Sequence, residues 1–357
     1  MEQNTRFYEL YKEKYRILSL VGMAKNAGKT VLLNHLISEL AEAHQTVGLT
    51  SIGRDGERTD IVTQTEKPGI YVPAGTIIAT AEALFYLSEA QMELLEVTEY
   101  ATAMGKVVIG KCRRGGFVQL GGPVSNRSIR EVAEKMRAFG AHYVLIDGAL
   151  DRCASASPAV ADACFLSTGA AISRRMDIAV EETAHRAMLF SLPAAENDAV
   201  SAHFENSGEI ALIDRNASGD GYQIRPLPVL KTGLGAAGPL LSEIRKNTAY
   251  ILFPGALVYS VAYEIMEGLG GLLKPPAFVV RDATKVFISP REWRTLKRFQ
   301  FELNVYESIR LLAVSANPVA PKGYRYDAAA FMAALKQAPA LSDIPIIDVL
   351  AEVKTCP

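Results

Sequence analysis

The residues whose types and spacing best suit chemistry are Gly28, Lys29 and Thr30, which close the stretch GMAKNAGKT at positions 22–30. A glycine followed by lysine and a hydroxyl residue is the ending of a phosphate cradle. Gly28 permits a close backbone approach that a Cβ would block. Lys29 is expected to reach terminal phosphates, and Thr30 to offer a hydroxyl to Mg²⁺, a hard cation that takes oxygen ligands. Gly22, Ala27 and Val31 complete the set expected around the anion, where backbone N–H groups and a helix N-terminus supply favourable dipoles. This chemistry requires a strand, a small-residue turn and then a helix. RILSLVG (16–22) reads as a buried strand, and KTVLLNHLISELAEA (29–43) carries apolar residues at helical spacing.

A nucleoside triphosphatase also needs carboxylates near the metal. HYVLIDGALD (142–151) delivers Asp147 to the carboxyl end of an apolar strand, the edge where ligands sit in open α/β sheets. Asp147 is therefore read, with Lys29, as a catalytic residue and, with Thr30, as a metal-facing one; a turn-capping role is its alternative. SIGRDGERTD (51–60) follows a second strand, and Asp55 is the metal-facing choice there, an exposed charged turn being equally compatible. The glycine-rich stretch 110–128 carries Arg113 and Arg114 and reads either as a lid or as a long surface connection. Asn317 ends a late apolar strand and is set aside because it lies so far along the chain from the loop.

Short apolar runs at 46–53, 69–75, 106–112, 142–149 and 162–170 alternate with amphipathic segments at 29–43, 80–105 and 125–140, which indicates βαβ units. The expected fold is α/β, with a mostly parallel sheet in a first domain (1–215), an irregular segment (216–247) and a smaller α/β domain (248–357). The second half carries a fold signal without a catalytic one.

The composition excludes several classes. Of the 357 residues 22% are charged, and the net charge of −1 gives no support for nucleic acid or an anionic membrane surface as a partner. No run of some 18 apolar residues predicts a membrane span. The four cysteines have no C-x-x-C spacing and the five histidines are scattered, so neither a disulfide framework nor a structural metal site is expected and the cytoplasm is the expected compartment.

Five residues separate Gly22 from Gly28, one more than in the common phosphate loop. That spacing resembles the loop of the dethiobiotin synthetase and cobyrinate amidase class of P-loop NTPases. Lys25 is displaced from the signature lysine of the deviant loops in that class, and no Lys-Pro dipeptide follows the second strand as in dethiobiotin synthetase. Across most of its length, through GMAKNAGKT, TSIGRDGERTD and YVLIDGALDR, the chain resembles the P-loop-containing subunits of lysine 5,6-aminomutase reactivases. The resemblance implies a P-loop domain that binds and hydrolyses Mg·ATP, with GTP as the other candidate. It implies a MutS-like ATPase partner and a cobalamin-dependent mutase as client in amino-acid degradation, and it is compatible with a homodimer. The alternative is an ATP-dependent small-molecule ligase or synthetase of the dethiobiotin synthetase type.

Overall fold

The computed structural model describes residues 7–55, 69–148, 153–216, 221–227, 235–270, 274–321 and 323–348, with the side chains of residues 54 and 55 outside that description. The chain is a mixed α/β protein, with ten α-helices among the described residues. It divides into two compact units, 1–184 with 310–357, and 185–309.

The first unit is built on a nine-stranded sheet. Its strands, numbered along the chain, are β1 (Ile17–Gly22), β2 (Val47–Ser51), β3 (Ile77–Ala81), β4 (Gln91–Thr102), β5 (Gly105–Arg114), β6 (Tyr143–Asp147), β7 (Ala163–Gly169), β8 (Leu311–Asn317) and β9 (Ile346–Asp348). The order across the sheet is β9-β8-β7-β1-β6-β2-β3-β5-β4. The seven strands from β9 to β3 run parallel, and β5 and β4 add an antiparallel hairpin at one edge. Strand β1 is buried throughout, which its unbroken apolar sequence requires of a central parallel strand.

Alternate residues of β1 and β6 serve two cores. Leu18, Leu20 and Leu145 pack with Leu32, Leu36 and Leu40 of the helix Lys29–Glu42 and with Phe7 and Tyr11 of the short helix Phe7–Tyr11. Ile17, Val144 and Ile146 pack on the opposite face with Ile129, Val132 and Met136 of the helix Asn126–Ala138. The sheet is thus covered on both sides and its strand ends are left as the place for loops.

Asp162 fixes the start of β1. Its carboxylate accepts the amides of Arg16 and Ile17, both at 2.9 Å, and the Arg130 guanidinium at 2.8 Å. Burial alone would raise its pKa, but the Ile17 amide, the Arg130 guanidinium and the Arg16 amide outweigh it and hold the carboxyl below its ordinary value. The stability this gives is present above the unfolded carboxyl pKa, about 3.9, and is lost as pH falls through the lower native value. Asp162→Asn is expected to cost about 1–3 kcal/mol at neutral pH in urea unfolding and to narrow the stability difference from the unaltered chain below pH 4.

Several expected elements differ. The segment 80–105, read as one helix, is the end of β3, the short helix Glu82–Tyr86 and the twelve-residue strand β4. The helix-favouring Glu, Leu and Met content is overridden by pairing with β5 through a tight turn, where the Thr102 hydroxyl accepts the Met104 amide at 3.0 Å and donates to the Gly105 carbonyl at 2.8 Å. Thr80 is a buried strand residue. The stretch 110–128, read as a lid or a long surface connection, is largely paired strand. Gly116–Val118 pairs with Ile70–Val72, and Leu120–Gly121 pairs with Arg54–Asp55. Gly122 lies so close to the β2 end that a Cβ there would stand 2.0 Å from the Ser51 carbonyl oxygen. Its glycines serve packing.

The second unit holds a five-stranded sheet of Tyr222–Pro226, Ala211–Arg215, Thr248–Phe253, Ala277–Val280 and Leu303–Val305, in that spatial order. Its last three strands are parallel and joined through the helices Tyr259–Gly268 and Pro290–Lys297. The boundaries expected at 215 and 248 do not coincide with the two units. Strands β8 and β9, expected in a separate C-terminal domain, return to the first sheet, and Ala211–Arg215, expected in the first domain, belongs to the sheet of the second unit.

Candidate functional site

The turn between β1 and the helix Lys29–Glu42 sits at the carboxyl edge of the parallel strands, between β7 and β6. The Met23 amide donates to the Ser167 carbonyl at 3.0 Å and ties the start of the turn to β7. Asn26 adopts a left-handed backbone, φ 64°, and Gly28 another, φ 97°. Gly28 then stands at the N-cap position with no side-chain cap, so the first helical amides have no side chain competing for them there. Ala27 is buried, Thr30 lies half-buried in the first helical turn, and the half-buried Val31 packs toward the core. Gly22 lies over the Lys29 stem, an ordinary 3.7 Å from Cδ to where its Cβ would be.

Lys29 is only 8% exposed, and its ammonium is drawn to the neighbouring strand end. Nζ lies 2.8 Å from Asp147 Oδ1 and donates to the Gly148 carbonyl oxygen. Asp147 is 3% exposed. A buried carboxylate and a buried ammonium each need the other, since removing either leaves an uncompensated charge. The register that pairs Asp147 with both Leu20 and Ser51 puts it between the turn and the end of β2. The Asp147 carbonyl also accepts the Ile52 amide at 3.0 Å, and the Gly148 amide donates to the Leu20 carbonyl at 3.0 Å.

Six of the residues singled out in the sequence therefore meet at one edge: Gly22, Ala27, Gly28, Lys29, Thr30 and Asp147. Asp55 falls in the two-residue strand Arg54–Asp55, but its side chain lies outside the described residues. Lys25 is half-buried in the turn. Arg113 and Arg114 are exposed, and Arg113 forms an ion pair with Glu93.

Asn317, discounted for its distance along the chain, belongs to the site's wall. It ends β8, and its Nδ2 donates to the Asn26 carbonyl at 3.2 Å while its Oδ1 accepts the Val319 amide at 3.0 Å. The missing information was topological, because only the return of β8 beside β7 brings residue 317 to residue 28. Comparison of the chain with protein-family models, with curated proteins and with solved structures finds no match.

Gly28 is the position least tolerant of a side chain in this turn. A Cβ there would stand 3.1 Å from Asn317 Cβ, on a backbone that L-residues avoid. Gly28→Ala is expected to cost about 1–2 kcal/mol in chemical denaturation from the left-handed backbone alone.

The arrangement suits an anion. Backbone amides at a helix start, an ammonium and a hydroxyl lie within one short turn, and these are groups that bind anions. Among the described residues no group of three or more His, Cys, Asp or Glu side chains gathers to hold a metal alone. Mg²⁺ does not require one, because it is commonly shared between one or two protein oxygens, phosphate oxygens and water. Thr30 and Asp147 fit that sparse donor set. No helix among the described residues is long and apolar enough to cross a membrane.

Proposed function

We propose that the turn at 22–30 binds the phosphates of a magnesium nucleoside triphosphate and that the chain is a P-loop NTPase. The observation that carries this reading is the placement of the buried Lys29 ammonium behind the left-handed Gly28 turn, 2.8 Å from Asp147, at the carboxyl edge of a parallel sheet. On this reading Gly28 and the neighbouring amides cradle the phosphates, and Lys29 exchanges part of its bond to Asp147 for the terminal phosphate oxygens. Thr30 contributes a hydroxyl to the cation. Asp147, released from Lys29, orients the cation's water or the attacking water. ATP is the proposed nucleotide, with GTP as the other candidate.

For the biological role we propose accessory reactivation of a cobalamin-dependent mutase of the lysine 5,6-aminomutase type, acting with a MutS-like ATPase. This rests on the resemblance of GMAKNAGKT, TSIGRDGERTD and YVLIDGALDR. Nucleotide state would act by biasing a loop beside the site and so the affinity for a protein client. The test is an ATP hydrolysis assay with and without the mutase and its ATPase partner. Turnover raised by the protein client supports the role. Turnover raised by a small carboxylate and indifferent to any protein would overturn it in favour of a ligase or synthetase.

A further inference from the structure

A second polar recess lies at the opposite, amino-terminal edge of the same sheet. It has a volume of about 540 Å³ and is lined by Arg16, Arg137, His142, Tyr8, Tyr143 and Glu13, among others. Arg16 immediately precedes β1, and His142 immediately precedes β6. The six residues of β1 separate this recess from the turn at 22–30 by on the order of 20 Å. No part of the proposed nucleotide site reaches it.

The charges in this recess are unevenly matched. The half-buried Arg16 guanidinium lies over the Tyr143 ring, 5.0 Å from its centroid, and among the described residues no carboxylate pairs with it. Its backbone is held in place by Asp162. The aromatic face steadies the guanidinium without neutralising it, which leaves its planar donors available. Arg137 adds a second guanidinium from the end of its helix, bonded on one side to Glu134 at 3.0 Å. Glu13 is the one carboxylate lining the recess, and it is exposed. The lining therefore carries two guanidiniums against one solvated carboxylate, with Glu134 outside the lining holding one side of Arg137, in a volume within the range of small-molecule sites.

We infer that this recess binds a small multivalent oxyanion, a phosphate or a polycarboxylate, through Arg16 and Arg137. Two guanidiniums offer paired N–H donors that match the oxygen spacing of either group. The Tyr8 and Tyr143 rings form the apolar part of the wall, and Glu13 opposes the ligand's charge from the rim.

The test is calorimetric titration of the full chain with inorganic phosphate and, separately, with citrate. One of the two is expected to bind at this site, and the tighter one identifies the source of the oxyanion. Arg16→Gln should weaken that binding about tenfold. Arg137→Gln, an exposed change at a helix end that leaves the core untouched, should do the same, and Glu13→Gln should strengthen it. The double variant Lys29→Ala/Asp147→Asn should leave it unchanged, which separates this site from the phosphate turn. Binding lost in that double variant but kept in both arginine variants would overturn the inference, as would failure of both anions to bind at millimolar concentration.

Discussion

Lys29→Ala is expected to weaken Mg·ATP binding by about two to three powers of ten, the worth of one or two charge-assisted bonds to phosphate. The same change has a second effect that must be kept apart from the first. It strands Asp147, 3% exposed, without the ammonium 2.8 Å away. Breaking a buried pair from one side costs about 3–5 kcal/mol, so the melting temperature should fall as well. The double variant Lys29→Ala/Asp147→Asn removes both charges and should recover much of the stability. It should recover none of the affinity. Affinity returning with stability would mean that Lys29 acts only as a counter-ion in the fold.

Asp147→Asn should separate hydrolysis from binding. The amide keeps the shape of the carboxylate but loses its charge, so Lys29 is held less firmly by its own protein. Nucleotide phosphates then compete for the ammonium against a weaker partner, and affinity should hold or rise. The hydrolysis rate should fall by about tenfold or more, because a group that orients water or cation has lost its charge. Single-turnover hydrolysis at saturating nucleotide measures this directly. If only thermal stability falls while the rate is unchanged, Asp147 is a structural residue that caps its strand and balances Lys29.

Much of the candidate site is local and could be read from the residues. The strand 17–22, the turn and the helix 29–42 are contiguous, an unbroken apolar run marking the strand and apolar residues at helical spacing marking the helix. Asp147 was legible because an unbroken apolar run ends on it. Asn317 was not legible in this way. Nothing near residue 317 refers to residue 26, and the bond between them exists because β8 joins the first sheet after the whole second unit has intervened. The linear division of the chain fails for the same reason. Strand β4 was misread for a different one: Glu, Leu and Met favour helix locally, whereas Thr98, buried and donating to the Val107 carbonyl at 2.7 Å, belongs to a hairpin specified by its partner strand. The glycine-rich stretch 110–128 was open to a lid or a surface-connection reading, because close packing against neighbouring backbone calls for glycine just as strongly as motion does.

The central claim is that Lys29 and the Gly28 turn bind nucleotide phosphates, and titrating the intact chain with Mg·ATP in a calorimeter tests it most directly. One ATP bound per chain, with binding dependent on Mg²⁺ and lost in the stability-matched double variant Lys29→Ala/Asp147→Asn, is the result predicted. No heat of binding for ATP or GTP with a chain that is folded by circular dichroism, or equal affinity in the unaltered chain and the double variant, would contradict it.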